Sequence, residues 1–235
     1  MNLLDILVIL IIAVCILYGC FRGFLTSLLK LCSFFFSWFT ALVFYPLVSK
    51  LLVLSSSFYD TIVFYTDGAE KIANLQHASL VVSALSDAQI KEIVHAANLP
   101  AHISETVQTN LSYRVFENQG MKTVGDYFNV TVADVVINII SFFIIFIIIW
   151  FALSIIFNIL GGAKRAPSLR KYDSLLGGSL GFVQGIFMTF LIFALIPALL
   201  IIVSMSSLTR YIDNSALGSF FYKSNFIMGL IKGVI

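Results

Sequence analysis

Charge is what this chain has least of. Of its 235 residues, 11% are Asp, Glu, Lys or Arg, against about 25% in a soluble globular domain. Too few charges are present to cover a water-facing surface, which excludes an ordinary soluble globule. The net charge is only +2 and no basic block occurs, which excludes a nucleic-acid partner. Cysteine is limited to Cys15, Cys20 and Cys32, an odd set in or beside the first two apolar segments. That excludes a disulfide framework and leaves them as small apolar side chains. Also missing are a Gly-x-Ser-x-Gly elbow and a phosphate loop. The three histidines, His77, His95 and His102, are not spaced as metal ligands. No catalytic, cofactor-binding or metal-binding residue is assigned, and the expectation is that the chain is not an enzyme.

What is present in excess is apolar surface. Hydrophobic residues make up 60% of the chain, with 23 phenylalanines in runs such as Phe34-Phe35-Phe36. A spanning helix needs about 20 mostly apolar residues to cross a hydrocarbon core of about 30 Å. Four stretches qualify, at about 3–21, 24–48, 132–159 and 175–203. An isolated strand would leave its backbone groups unpaired in lipid, so each must be a helix. The fold class is therefore all-α, a polytopic membrane protein with four transmembrane helices, and the lipid bilayer is its first partner.

Orientation follows from the basic residues. The first apolar run has Asp5 near its start and is followed by Arg22, the reverse of a signal peptide's order. The turn after the third helix carries Lys164, Arg165, Arg170 and Lys171 against Asp173. Short basic turns stay in the cytoplasm, which predicts N-out, C-out. Residues 55–131 then lie outside, with eight acids and four bases. Within them Ser86-Asp-Ala-Gln89 reads as a capping box. It is followed by Ile90, Ile93, Val94 and Ala97 at helical spacing. Pro100 breaks the pattern, and Ile103, Val107 and Leu111 predict a second helix. These helices need to bury their stripes on each other, on the bilayer surface or on a partner. The predicted organisation is a hairpin over 1–54, a helical extracytoplasmic insertion over 55–131, a second hairpin over 132–204 and an amphipathic tail over 205–235. Phe220, Phe221, Phe226, Ile227 and Leu230 interleaved with Arg210, Lys223 and Lys232 give that tail an interfacial reading; a frayed terminus is the alternative.

Two constellations stand out. Gly19 and Gly23 flank the first turn, and Gly177, Gly181 and Gly185 recur at four-residue steps with Gly178 beside them. Such a face lets another helix approach closely. The segment Gly19-Cys-Phe-Arg22-Gly23-Phe-Leu also compares with Gly181-Phe-Val-Gln184-Gly185-Ile-Phe, a hint of two parallel repeats. Secondly, Lys30, Ser33, Ser37 and Thr40 share a face of helix two, while Asn138, Ser141, Ser154 and Asn158 supply polar groups on helix three and Gln184 one on helix four. They read either as interhelical hydrogen bonding with Lys30 reaching the headgroups, or as the lining of a polar path. Asp173 suits the positive end of helix four and could also pair with Arg22 or Arg170; Asp134, after a candidate Thr131 cap, plays the same part in helix three.

An early acid in Asn2-Leu-Leu-Asp5, a Gly-x-x-Arg-Gly turn at 19–23 and the segment Tyr172-Asp173-Ser-Leu-Leu-Gly177-Gly-Ser-Leu-Gly181-Phe-Val-Gln-Gly185 together resemble the colicin V production family of bacterial inner-membrane proteins. The resemblance implies a role in producing or exporting that toxin, or in envelope upkeep. It implies no catalytic residues, and no protease domain of the kind fused to some relatives is expected. The leading expectation is an inner-membrane accessory or scaffold protein that packs with copies of itself or with other membrane proteins. A small transporter or channel is the alternative.

Overall fold

The computed structural model describes residues 2–97, 99–160, 172–203 and 206–231. In chain order the helices are α1 (Leu3–Arg22), α2 (Phe24–Leu54), α3 (Ser56–Thr66), α4 (Leu75–Ala78), α5 (Asp87–Ala96), α6 (Ala101–Ser112) and α7 (Val124–Leu160). They are followed by α8 (Asp173–Phe193), α9 (Ile196–Val203), α10 (Ser206–Asp213), α11 (Ala216–Lys223) and α12 (Phe226–Leu230). Among the described residues the only β pairing is one antiparallel bridge, Val81 with Thr123. Four stretches among the described residues are long and apolar enough to cross a membrane: Leu3–Arg22, Phe24–Leu54, Val124–Phe157 and Asp173–Ile202.

The ends of these helices differ from the sequence expectation for physical reasons. α7 starts at Val124, well before residue 132, because a reciprocal cap forms there. The Thr123 hydroxyl accepts the Asp126 N–H at 3.2 Å, and the Asp126 carboxylate accepts the Thr123 N–H at 3.0 Å. Thr131, expected as a cap, lies inside α7 and accepts a buried hydrogen bond from Asn110 Nδ2 at 3.0 Å. α2 continues to Leu54 through Pro46, an interruption that membrane helices tolerate. The last span breaks between α8 and α9; Pro197 falls in the first turn of α9, where its missing N–H would have no intrahelical partner.

The chain forms two compact units. The first comprises Met1–Phe44, Phe142–Ile196 and Ser206–Ile227; the second comprises Tyr45–Ser141, Pro197–Met205 and Met228–Ile235. In the first unit α1 packs along α8. The pattern of α1 shows why. Leu3, Leu7, Leu10, Val14, Leu17 and Phe21 repeat at steps of three and four and are all exposed, while Asp5, Val8 and Gly19 on the other face are buried. An exposed stripe of that composition suits lipid. α10 and α11 fold back onto α1, and α11 also meets α8. The rings of Phe221 and Phe226 lie 4.7 and 5.3 Å from that of Phe190. Part of the tail's apolar side is therefore used against protein.

The second unit has its own core. α5 packs on α6, burying Ile90, Ile93 and Val94 together with Ile103, Val107 and Leu111. Each such side chain contributes roughly 1.5–3 kcal/mol by leaving water. The Ser86–Gln89 capping box opens α5. The Val82 N–H donates to Lys122 O, and the Val124 N–H to Leu80 O, both at 2.9 Å. Asn129 Oδ1 accepts the Ala69 N–H at 2.7 Å, tying the turn at Gly68 to α7.

Candidate functional site

The α1–α8 contact is made backbone to backbone. A Cβ on Gly19 would strike the carbonyl of Gly177, one on Gly177 the carbonyl of Gly19, and one on Gly181 the carbonyl of Cys15. At Gly185 it would stand 3.0 Å from Ile12 Cα, and at Gly178 it would meet the Cys20 sulfur. Rising numbers on α8 meet falling numbers on α1, so the two helices run antiparallel. The segment 19–25 runs from the end of α1 through Gly23 into α2, whereas 181–187 lies inside α8. Close approach of this kind supplies dispersion and weak Cα–H contacts where lipid offers no hydrophobic drive.

At the start of α8 an acid completes the turn between α1 and α2. Gly23 has φ +82°, a conformation that favours glycine, and its N–H returns to Gly19 O at 3.0 Å. The space a Cβ would need is filled by the Asp173 carboxylate. Asp173 Oδ1 accepts the Phe24 N–H at 2.8 Å. One side chain thus favours the N-terminus of its own helix by charge and caps α2 by hydrogen bonding. Arg22 lies over the Tyr18 ring, 4.1 Å from its centre.

The other end of the pair has an acid that the sequence reading did not single out as a site residue. Asp5 is 6% exposed. Its Oδ2 accepts the Asn2 N–H at 2.8 Å, closing a capping box at the start of α1. Its Oδ1 accepts the Ser215 hydroxyl at 2.6 Å and the Leu217 N–H at 3.0 Å, so it also caps α11. Ser215 in turn accepts the Gly218 N–H at 2.8 Å, and Asn2 Nδ2 donates to Tyr211 O at 2.7 Å. The Asn-x-x-Asp spacing is a readable capping signal; its partner near residue 215 is not.

Between these ends lies a cavity of about 340 Å³ in the first unit. Its polar lining is Tyr18, Thr26, Ser27, Lys30, Ser33, Ser154 and Gln184, with Val14, Trp150 and Phe157 among its apolar walls. Lys30 Nζ donates to the Tyr18 hydroxyl at 2.9 Å. Ser33 donates to Leu29 O, and Ser154 to Trp150 O, at 2.8 and 2.7 Å. Of the polar residues marked in the sequence, Lys30, Ser33, Ser154 and Gln184 meet here. Ser37 and Thr40 do not line the cavity, and their hydroxyls donate to Ser33 O and Phe36 O of their own helix. The Asn158 side chain and the basic residues Lys164, Arg165, Arg170 and Lys171 lie outside the described residues. Tyr18, Thr26 and Ser27 carried no sequence signal of their own.

Elsewhere the electrostatics are simple. Burial, with Asp134 and Asp60 nearby, pushes the Tyr59 phenol up to about 12. Burial and Asp213 do the same to Tyr222. Both remain neutral donors at neutral pH. Among the described residues no group of His, Cys, Asp or Glu converges as a metal site.

No curated protein and no solved structure matches the chain. The family model described as colicin V production protein matches residues 4–98 and 111–234. The acids Asp5 and Asp173, the six glycines and the cavity all fall inside those limits, and most of α6 falls in the gap. That family is not known as an enzyme family. With four spans, a glycine-paired α1–α8 contact and a match over most of its length, the chain is a multipass membrane protein that belongs to the colicin V production protein family.

Proposed function

We propose that this protein is an accessory or scaffold protein of the bacterial inner membrane that supports toxin production and export or envelope maintenance without catalysing a reaction. It would stand N-out, C-out, with residues 55–131 as an extracytoplasmic helical insertion and the basic turn at 164–171 in the cytoplasm. The observation that carries this reading is the α1–α8 contact. Three of its glycines leave no room for a side chain, and the exposed stripe of α1 is apolar throughout. A rigid antiparallel pair with exposed apolar flanks is suited to holding other membrane helices, including a second copy.

The test is complementation. Gly181→Leu and Gly185→Leu are each expected to abolish function in a strain lacking the native protein, while Thr40→Leu is silent. If both glycine variants restore toxin production and detergent resistance to the wild-type level, the packing role is wrong. Topology is checked separately by labelling single cysteines from either side of the membrane.

A transporter or channel remains the second reading, favoured by the polar cavity. Against it, Ser37 and Thr40 bond within α2 and leave the cavity without a continuation along that face. Flux of a solute or ion into liposomes that disappears in Gln184→Leu would favour this rival.

A further inference from the structure

Lys30 sits six residues past the start of α2, about 9 Å along the helix axis. A cation at that depth in an apolar helix is costly unless something answers its charge. No Asp or Glu lines the cavity it enters. All twelve acids of the chain lie in the described residues, and an ion pair among these residues joins Asp213 to Lys223, not to Lys30. The Lys30 ammonium instead donates to a neutral phenol, that of Tyr18. A second cation, Arg22, stands against the same ring. Positive charge is therefore gathered around one tyrosine with no ion pair to either cation among the described residues; the Asp173 carboxylate, at the neighbouring Gly23 turn, is engaged by the Phe24 N–H.

The remaining donors point to what the cavity would take. Lys30 uses one ammonium proton on Tyr18 and keeps two. The Tyr18 hydroxyl accepts that bond and keeps its own proton to give. The Gln184 amide is a further donor on the lining. Val14, Trp150 and Phe157 form an apolar side suited to a glycerol or acyl stem. A volume of about 340 Å³ is within the range of small-ligand sites, about 300–1,000 Å³. A metal cation would be repelled, and a neutral solute would leave the charge unanswered. We propose that the cavity beside Tyr18 and Lys30 binds a phosphate group, carried by an anionic lipid or by a soluble phosphate ester, with Lys30 as its charge partner. Basic pockets between membrane helices are a general means of holding anionic headgroups.

The test uses the purified full chain in detergent. Phosphatidylglycerol and phosphatidylcholine of identical acyl composition are titrated, and retained lipid is read by native mass spectrometry. Glycerol phosphate is added in a second arm. The wild type is expected to prefer phosphatidylglycerol by about tenfold, equivalent to about 1.4 kcal/mol. Lys30→Met should lose that preference, Lys30→Arg should keep it, and Thr40→Leu should leave it unchanged. Displacement of the lipid by millimolar glycerol phosphate would identify a soluble ester as ligand; retention of the lipid would identify the headgroup. If Lys30→Met does not fold, Tyr18→Phe with Gln184→Leu replaces it, and a severalfold loss is expected. The proposal is overturned if the folded variant keeps the wild-type preference, or if neither phosphatidylglycerol nor glycerol phosphate binds.

Discussion

At one end of the α1–α8 pair Asp173 accepts the N–H of Phe24, while at the other Asp5 accepts the Ser215 hydroxyl and the Leu217 N–H. Each acid sits in the first turn of a spanning helix, and each caps a different helix. The settings are not equal. α2 follows α1 after a single glycine, so its start is held beside α8 by the chain itself. α11 lies some two hundred residues from α1, and nothing in the local chain keeps it there. Closing a loop that long carries an entropic cost that the contacts must offset. Asp5 is accordingly the more buried acid and makes more bonds. The same device is a refinement at one end and a fastening at the other.

The contrast depends on the glycine contact between the two ends, so removing that contact should have the largest effect. Gly181→Leu places a branched side chain against the Cys15 carbonyl. Overpacking against backbone costs about 3 kcal/mol, and the protein is expected to fail fluorescence-detected size exclusion. Gly185→Leu should be milder, because its nearest neighbour at 3.0 Å is Ile12 Cα and the next is a side chain. Wild-type elution of both variants would show that the pair is held by something other than close backbone approach.

Breaking the fastening comes next. Asp5→Ala leaves the Ser215 hydroxyl and the Leu217 N–H without their acceptor. The loss of thermal stability in detergent is expected to be roughly twice that of Asp173→Ala, since two inter-helix bonds are removed and not one. Limited proteolysis should then cut between α9 and α11 in Asp5→Ala and not in Asp173→Ala. If the two variants lose the same stability and are cut alike, the difference between the ends is not real.

The turn gives a finer test. Gly23→Ala should cost about 1–3 kcal/mol from its backbone alone, since φ +82° with ψ 176° is a region essentially confined to glycine, with a further loss from collision with the Asp173 carboxylate. Adding Asp173→Ala relieves the collision and not the backbone strain. A double-mutant cycle is therefore expected to show favourable coupling of about 0.5–1 kcal/mol. Zero coupling would mean that the carboxylate moves aside freely.

How much of this was legible in the chain varies by region. The four spans were, because apolar runs of that length have only one state in lipid. The glycine face was also visible, since a step of four residues needs no partner to be noticed. That Gly181 meets Cys15 could not be read, because Cys15 is an unremarkable apolar residue in sequence. α7 was placed to begin at 132 because hydropathy rises there, whereas Thr123 and Asp126 start the helix through hydrogen bonds that hydropathy does not register. Asp5 was visible as an early acid, but its partner Ser215 is set by tertiary closure. For the cavity, Lys30, Ser33 and Gln184 stood out as costly polar groups. Tyr18 did not, since a tyrosine near a helix end is ordinary at a membrane interface.

The smallest effect is expected where the end held by Asp5 has a second, weaker tie. Lys223 and Asp213 connect α11 to α10 at 3.9 Å, with side chains 68% and 58% exposed. An exposed pair at that separation gains little over hydration and is screened by salt. Lys223→Met should therefore change the thermal midpoint by no more than the equivalent of about 0.5 kcal/mol, and the residual difference should vanish at high salt. Combined with Asp5→Ala it should add nothing measurable, because the tie joins α11 to α10 and not to α1. A loss in Lys223→Met comparable to that in Asp5→Ala would transfer the fastening from the buried carboxylate to the surface, and the contrast between the two ends of the pair would have to be redrawn around charge on the tail.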